Sequence, residues 1–534
     1  MAPAGPSGWT PERSAAGAHS PWLIAAIISI ATFMEVLDAS IANVALRHIA
    51  GSLSASYDES TWILTAYLIA NAVILPISGW LSDVIGRKRY YMLSVALFAA
   101  SSLLCGLAPS LGFLIVARIA QGLGGGGLAT SEQSMLTDTF PPEKRGQAFA
   151  IYGLTVIFAP IVGPTIGGLI TDQASWHWIF LINVPIGLLS LTLVALFVDE
   201  PEALARDRAE RFRGGLSVDY VGFLLIALGL GSLEIVLDRG QRDDWFASAM
   251  ITSFTIVSAA AIVTLVIWEL RREDPIVHLR LLGRRNFGIA NLMMATTGAI
   301  VFGSTQFIPQ LLQEVLGYTA TLAGEAMTAG GVVTLFLMPL TGLLSNKVQP
   351  RILIGLALVI EVFAFWHMAH LNAQMDFWDA AWARLYQAVG LPFLFIPISA
   401  VAYVGLRPEE SNQAASLLNV SRNLGGTIGI AVVQTLLVER EQFHQARLVE
   451  RLNPLEPSYQ EGLARMTRTL IEHGQSAIAA QQLALGQLYR TIVTQATMLA
   501  FIDAIWVLMI GIIVILPTVF LLRTGKPGAA HGAA

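Results

Sequence analysis

The stretch GWLSDVIGRKR, residues 79–89, decides how this chain is to be read. It packs Asp83, Arg87, Lys88 and Arg89 into a short turn between two apolar runs, residues 61–81 and 90–107. Each run is close to the ~20 residues a helix needs to cross the hydrocarbon of a bilayer. A charged turn between two such runs predicts a membrane-spanning hairpin.

Composition extends that reading to the whole chain. Of 534 residues, 54% are hydrophobic and 13% charged, against roughly 25% charged in a soluble domain. The net charge of -5 carries little weight, since in a polytopic chain the placement of charge matters more than its sum. No basic patch suggests nucleic acid as a partner; the lipid bilayer is the partner that composition names. Cys105, the single cysteine, can form neither an internal disulfide nor a thiolate metal site, and in the apolar context SSLLCGLAP it reads as an inert buried thiol. Residues 1–21, rich in Pro, Gly, Ala and Ser, lack the apolar core of a signal peptide and predict a disordered tail.

Fourteen spanning helices are expected, at residues 22–46, 61–81, 90–107, 111–134, 148–170, 178–198, 218–237, 247–270, 287–312, 322–344, 352–371, 381–404, 414–438 and 498–522. Most of the 32 Lys and Arg residues fall in turns on the side that holds both termini, including Lys144, Arg145, Arg206, Arg208, Arg211, Arg213, Arg271, Arg272, Arg280, Arg284 and Arg285. The positive-inside rule then makes both termini cytoplasmic. Residues 439–497 form a long loop on the opposite side, rich enough in Leu, Ile, Gln, Glu and Arg to be largely helical.

The chain repeats itself. ARIAQGLGG from Ala117 recurs as ARLYQAVGL from Ala383, and at the same separation Pro142, Glu143, Gln147 and Ala148 recur as Pro408, Glu409, Gln413 and Ala414. GWLSD at 79–83 is echoed by GLLSN at 342–346. The organisation expected is a six-helix half (22–198), two inserted helices (218–270), a second half (287–522) with the external loop 439–497, and a short cytoplasmic tail (523–534).

Inside the first run, ATFMEVLDASIANVAL from Ala31 carries Glu35 and Asp38, three residues apart and so on neighbouring positions of a helix. An ionised carboxylate in a spanning helix costs on the order of 2.5–3.5 kcal/mol on insertion scales, which makes intramembrane acids functional candidates. Arg118 in the fourth run is the cation they could face. GLGGGG from Gly122 fits the spacing of a dinucleotide loop, but it follows a membrane helix rather than a strand, and small residues for close helix approach explain it better. Glu234, Glu325, Glu361, Arg384, Arg422, Asp503 and His367 are further polar groups in or near runs; of these, Glu361 stands out, in LALVIEVFAFW.

These features resemble the major facilitator superfamily, whose two six-helix halves are parallel repeats about a central site. GWLSDVIGRKR matches its loop signature G-x-x-x-D-x-x-G-R-K, which implies that Gly79, Asp83, Gly86, Arg87 and Lys88 form a cytoplasmic gate clamp. The second-half counterpart, with Asn346 and Gln349, should be weaker. Arg118 and Gln121 resemble the helix 4 signature, and GPTIGG, with Gly163, Pro164, Gly167 and Gly168, is similar to the antiporter signature. FMEVLDASIANVAL resembles the helix 1 signature of fourteen-helix drug:proton antiporters at Asp38 and Asn43, with Glu35 as a departure. LDRGQRDDWF from Leu237, IPQLLQEVLGYTAT from Ile308 and SRNLGGTIG from Ser421 resemble the EmrB type of that family.

The resemblance implies an all-α membrane protein of the facilitator fold, a secondary antiporter of the inner membrane that exports hydrophobic or amphipathic toxic compounds. Its energy source would be the proton gradient, with no cofactor, no metal and no enzymatic step. Asp38, Glu35 and Arg118 would couple protons; Asn43, Gln121, Glu361 and Arg422 would line the substrate cavity. It further implies an EmrA-type periplasmic adaptor and an outer-membrane channel. The alternative is a facilitator-type proton symporter importing a defined metabolite, against which GPTIGG and the helix count argue.

Overall fold

The structure, a computed structural model, describes residues 19–200, 218–345, 347–450 and 452–523. Apolar runs long enough to satisfy every backbone group internally fold as helices. In the first half these are α1 (Pro21–Ser52), α2 (Trp62–Ile85), α3 (Arg87–Gly106), α4a (Leu111–Gly125), α4b (Leu128–Thr139), α5 (Arg145–Gln173) and α6 (Asn183–Phe197), the last preceded by a turn of helix at Trp178–Leu181. Then come α7 (Tyr220–Arg239) and α8 (Ala249–Arg271). The second half comprises α9 (Arg285–Glu314), α10 (Ala320–Leu344), α11 (Pro350–Met368), α12 (Phe377–Ala402), α13 (Ser411–Glu450), α14 (Pro457–Glu472) and α15 (Ala477–Ile515).

Among the described residues 12 helices are long and apolar enough to cross a membrane, and Arg145–Pro160 with Thr165–Thr171, bent by 46°, make a thirteenth. The expected fourteenth, α13, is not among these. Asn419, Ser421, Arg422 and Asn423 interrupt its apolar run. It nonetheless packs along α9, α15 and α2 as its repeat position requires.

The repeat is visible in packing. α1 lies on α5 as α9 lies on α13; α2 on α4a as α10 on α12; α3 on α4a as α11 on α12. The halves meet through two symmetric pairs, α5 with α10 and α2 with α13, and the inserted α7 and α8 pack on each other with α7 against α2. Both described ends lie on one face: Trp22 packs at a tilt on Phe140 at the end of α4b, and Arg285 Nε and Asn286 Nδ2 donate to the carbonyls of Leu521 and Arg523. That face, termed the terminal face, carries Arg87, Lys88, Arg89, Arg145, Arg271, Arg272, Arg284 and Arg285. Arg206, Arg208, Arg211 and Arg213 lie outside the described residues, as do Asn346 and the first 18 residues.

On the opposite face α13 runs 40 residues and α15 runs 39, each well beyond the ~20 residues that span a bilayer. With α14 between them, they make the long loop helical. Arg440 Nε and His444 Nε2 both bond Asp503 Oδ2, at 2.5 and 2.7 Å, and tie α13 to α15 where they leave the bundle.

Candidate functional site

The first half holds a buried polar centre built by four helices. Asp38 on α1 is 2% exposed and Arg118 on α4a 0%. Arg118 Nη1 donates to Asp38 Oδ2 at 2.6 Å, while Gln121 Nε2 and Asn183 Nδ2 donate to Asp38 Oδ1 at 3.0 and 2.6 Å. Ser102 on α3 accepts from the same Gln121 and Asn183 amides, at 2.5 and 3.2 Å. Arg118 also donates to Gln121 Oε1 at 2.6 Å and to the Ile63 carbonyl at 3.2 Å, and its guanidinium lies 4.3 Å from the Tyr67 ring. A buried ion pair is tolerated only when further hydrogen bonds satisfy the remaining groups. Here three donors complete the carboxylate.

Glu35, one turn away on α1, has a different setting. It is partly exposed, and its Oε1 accepts from Tyr67 Oη at 2.8 Å and Asn71 Nδ2 at 3.3 Å, both on α2. The cation whose field reaches it is Arg422, on the other half. The two acids of α1 therefore have separate settings: Asp38 is locked within its half, and Glu35 stands at the boundary between the halves.

Between those halves a network closes on the terminal side of Glu35. Tyr152 Oη on α5 donates to Asn419 Oδ1 at 2.9 Å and accepts from Arg422 Nη1 at 2.8 Å; Asn419 Nδ2 donates to Gln133 Oε1 on α4b at 3.0 Å. Beyond it Tyr152 packs on Phe395 and Phe149 stacks on Tyr403, with ring centroids 5.7 and 5.5 Å apart. At the rim, Arg87 is ion-paired with Asp138 of α4b and donates to Ser411 Oγ at 3.1 Å, and Asn412 donates to Asp83. Gly86 has φ +101°, a backbone conformation that glycine alone adopts without strain, and this turns the chain from α2 into α3. A Cβ on Gly79 would lie 3.0 Å from the Asn412 carbonyl, so glycine lets α2 and α13 cross there. Lys88 Nζ donates to the Ala195 carbonyl at 3.2 Å and faces α6 rather than the second half. The terminal face is thus shut.

The antiporter stretch sits where α5 crosses α1. A Cβ on Gly163 would collide with Ser40, and one on Gly167 would lie 3.0 Å from the Ile41 side chain; Gly168 meets nothing. The backbone of Pro164 falls at the bend of α5.

Of the four residues expected to line a cavity, Asn43 is exposed and Arg422 forms the network under Glu35. Gln121 and Glu361 are each 0% exposed and line no open space. Gln121 is drawn in by Asp38 and Arg118. Glu361 lies inside the second half, where a Cβ on Gly390 would come within 2.6 Å of its Oε1, and neither of its oxygens has a donor. Arg384, the repeat counterpart of Arg118, donates instead to Ser304 Oγ at 3.3 Å and to Gln387. Ser304 occupies the repeat position of Asp38, so the acid that faces the second arginine has moved from the first helix of the half to the third.

Sequence reading missed Glu132, Asp138, Asn183, Ser102, Tyr67 and Tyr152. Glu132 carried the signal that singled out Glu35, an acid inside a spanning run. Asp138 gave none, because it follows the expected end of the fourth helix by a few residues and reads as loop.

A family model described as Major Facilitator Superfamily matches residues 28–430. The chain is 40% identical over 434 residues to the multidrug export protein EmrB of Escherichia coli (strain K12), covering 81% of this chain and 83% of that protein. It is 38% identical over 466 residues to the multidrug export protein EmrB of Haemophilus influenzae, covering 86% and 89%. Among solved structures the proton:xylose symporter XylE, bound to 6-bromo-6-deoxy-D-glucose, superposes with a TM-score of 0.55 over 89% of this chain and 94% of that chain, at 13% identity. That likeness concerns the fold alone.

Proposed function

This chain belongs to the major facilitator superfamily, and on that premise we propose that it is a proton-coupled antiporter exporting hydrophobic or amphipathic toxic compounds. Its relatives are multidrug export proteins along most of their length. The observation that carries the coupling is the placement on α1 of a partly exposed acid, Glu35, one turn from a buried acid, Asp38, whose carboxylate is ion-paired with Arg118 and bonded by two amides. Glu35 exchanges protons with water on the open side. Its neutral form removes one negative charge facing Arg422 and weakens the hold on a cationic or polarised substrate. When the gate at the terminal face opens, the proton leaves there and the carboxylate recovers.

Asp38 and Arg118 convert that local change into movement. Protonation of Asp38 would leave Arg118 buried and unpaired, a state costly enough to force α1 and α4a to rearrange. The clamp of Gly79, Asp83, Gly86 and Arg87 is the gate at the terminal face, with Lys88 tying α3 to α6 beside it; the positive-inside rule makes that face cytoplasmic. The bilayer is then the inner membrane, with both termini inside. The external helices of residues 439–497 supply a docking surface for a periplasmic adaptor of the EmrA type leading to an outer-membrane channel.

Everted vesicles with an imposed pH gradient, acid inside, test the reading. Accumulation of a lipophilic dye such as ethidium that collapses with the gradient supports it. Dye flux that ignores the gradient, with gradient-driven flux of one sugar or organic acid instead, refutes it.

A further inference from the structure

The fourth spanning helix is two segments, and the second carries an acid that the coupling above does not use. α4a holds Arg118 and Gln121 at the Asp38 centre; α4b, only 12 residues long, holds Glu132, Gln133 and Asp138. Gly126 and Gly127 separate them, and with Gly124 and Gly125 at the end of α4a they press so closely on α2 and α3 that a Cβ on Gly124 would lie 2.7 Å from the Phe98 nitrogen. α4b supplies contacts of the shut gate: Gln133 accepts from Asn419 across the halves, Asp138 pairs with Arg87, and the Thr137 carbonyl accepts from Arg145 Nη2 at 3.0 Å.

Glu132 points the other way, into the first half, and is 0% exposed. Its Oε1 accepts from Ser29 Oγ on α1 at 2.5 Å, and its Oε2 has no donor. Among the described residues no Lys, Arg or His is ion-paired with it. The titratable groups that face it are Tyr91 on α3, whose hydroxyl donates to the Ile28 carbonyl, and Tyr152 on α5. α6 contributes Ser190, α1 contributes Ser29 with Glu35 further along the helix, and α13 presents Asn419 and Arg422, both bonded to Tyr152. This centre lies between the same helices as the Asp38 centre, and Ser29 is about 13 Å from Asp38 along α1 at the usual helical rise. It differs in one respect. Asp38 has an arginine and two amides, whereas Glu132 has only hydroxyls of α1, Ser29 bonded to it and Thr32 beside it.

A buried carboxylate ion without a cation or a full set of donors is strongly disfavoured, and the neutral acid is the form this packing accommodates. Ionised Glu132 favours an arrangement in which α4b moves toward water, and α4b cannot move without breaking the contacts of Gln133 and Asp138. We propose that Glu132 is a second proton-binding acid of the transport cycle, whose protonated form holds α4b, and with it the terminal-face gate, closed. The proton bound on closure leaves to water on that face as the gate opens. The proposal deepens the proton coupling described above and rests on it for the direction of flux.

The test uses the full-length protein in nanodiscs, with Cys105→Ser and a reporter Ala150→Cys, buried at the α5–α10 contact beside Gly342. Its labelling by a hydrophilic maleimide is measured from about pH 5 to pH 9 and normalised to a Ser458→Cys reporter on the exposed loop, which removes the intrinsic pH dependence of thiolate reactivity. The normalised rate should rise by about tenfold per pH unit over part of that range, as expected where loss of one proton limits opening. Glu132→Gln should hold it near its low-pH rate, and Glu132→Asp should restore the rise.

Infrared difference spectra of the parent provide a readout independent of folding in the reporter variants: a protonated carboxyl band should titrate, and Glu132→Gln should remove it. A parental pH profile in Glu132→Gln, or a Glu132 carboxyl band that never titrates, overturns the proposal. If Glu35→Gln abolishes gradient-driven dye flux while Glu132→Gln retains the parental labelling profile, the α1 coupling stands and the role of Glu132 falls.

Discussion

Replacing Asp38 by Asn removes the charge that Arg118 faces while keeping the size and hydrogen-bonding shape of the side chain. Removing one partner of a buried pair destabilises by about 3–5 kcal/mol, because it strands the other charge. The structure places Asp38→Asn at the lower end of that range, since Arg118 keeps Gln121 Oε1, the Ile63 carbonyl and the Tyr67 ring. Asp38→Asn alone should therefore lose about 3 kcal/mol. Arg118→Met alone should lose a similar amount, since it strands the carboxylate with only two amides. The double variant leaves no buried charge at this centre, and apolar replacement of buried pairs is often neutral or better. It should regain at least half of either single loss, so that it loses about 1.5 kcal/mol or less where additivity would give about 6 kcal/mol, a coupling of about 4.5 kcal/mol or more. The assay is unfolding of purified protein in detergent, followed by tryptophan fluorescence against denaturant, alongside gradient-driven dye uptake in everted vesicles. Stability should return in the double variant and transport should not, because a neutral centre cannot report protonation. Losses that simply add in the double variant would refute the pairing, and recovered transport would refute the coupling.

At the gate, Arg87→Ala removes the ion pair to Asp138 and the bond to Ser411, so labelling of the Ala150→Cys reporter should rise several-fold at fixed pH; an unchanged rate would leave the cluster as a topology anchor. Gly163→Val forces a branched side chain into Ser40 where α5 crosses α1, and overpacking of this kind costs about 1–3 kcal/mol, read as a lower denaturation midpoint. On the terminal face, burial pushes the Glu410 carboxyl up, but bonds from Arg284 and Arg407 outweigh it and hold it below the usual range. Its contribution is present above the unfolded value of about 4.3 and fades as pH falls through the lower folded value. The stability gap between parent and Glu410→Gln should thus be open at pH 6 and close toward pH 3; a gap independent of pH contradicts the assignment. Replacing the loop of residues 439–497 by a Gly/Ser linker should spare vesicle antiport and lower whole-cell resistance. Loss of both would make the loop part of the transporter's own outer gate, and retention of both would remove the docking role.

Much of this architecture was legible because its causes are local. Runs of apolar residues fix spanning helices, and the recurrence of Arg118 and Gln121 as Arg384 and Gln387 fixes which helices correspond. The packing of α1 on α5 and of α9 on α13 follows from that alone. Glu35, Asp38 and Arg118 were identifiable because charge in lipid is conspicuous, and residues 79–88 because they match a loop signature.

What the sequence withheld is partnership. It proposed that Asp83 and Arg87 act together, but could not show that Arg87 reaches Asp138 or that Asp83 is bonded by Asn412 of the other half. Helical periodicity reports a face, and the identity of the group opposite that face depends on how two helices cross. Glu361 shows the same limit: a single acid in an apolar run reads as cavity-lining, whereas crossing of α11 and α12 at Gly390 buries it. The α13 segment fell short of the hydropathy of its neighbours because its polar residues, Asn419 and Arg422, serve contacts across the halves rather than lipid.

The central claim is that carboxylates inside the first half couple protons to movement of a substrate. The most direct measurement is dye accumulation by purified protein reconstituted into liposomes, with a pH gradient imposed acid inside, compared between the parent and the Glu35→Gln, Asp38→Asn double variant. Uptake by the parent that follows the gradient and vanishes when it is dissipated, together with a folded double variant that only equilibrates dye, is the result this account predicts. Gradient-driven accumulation by the double variant at the parental rate would contradict it.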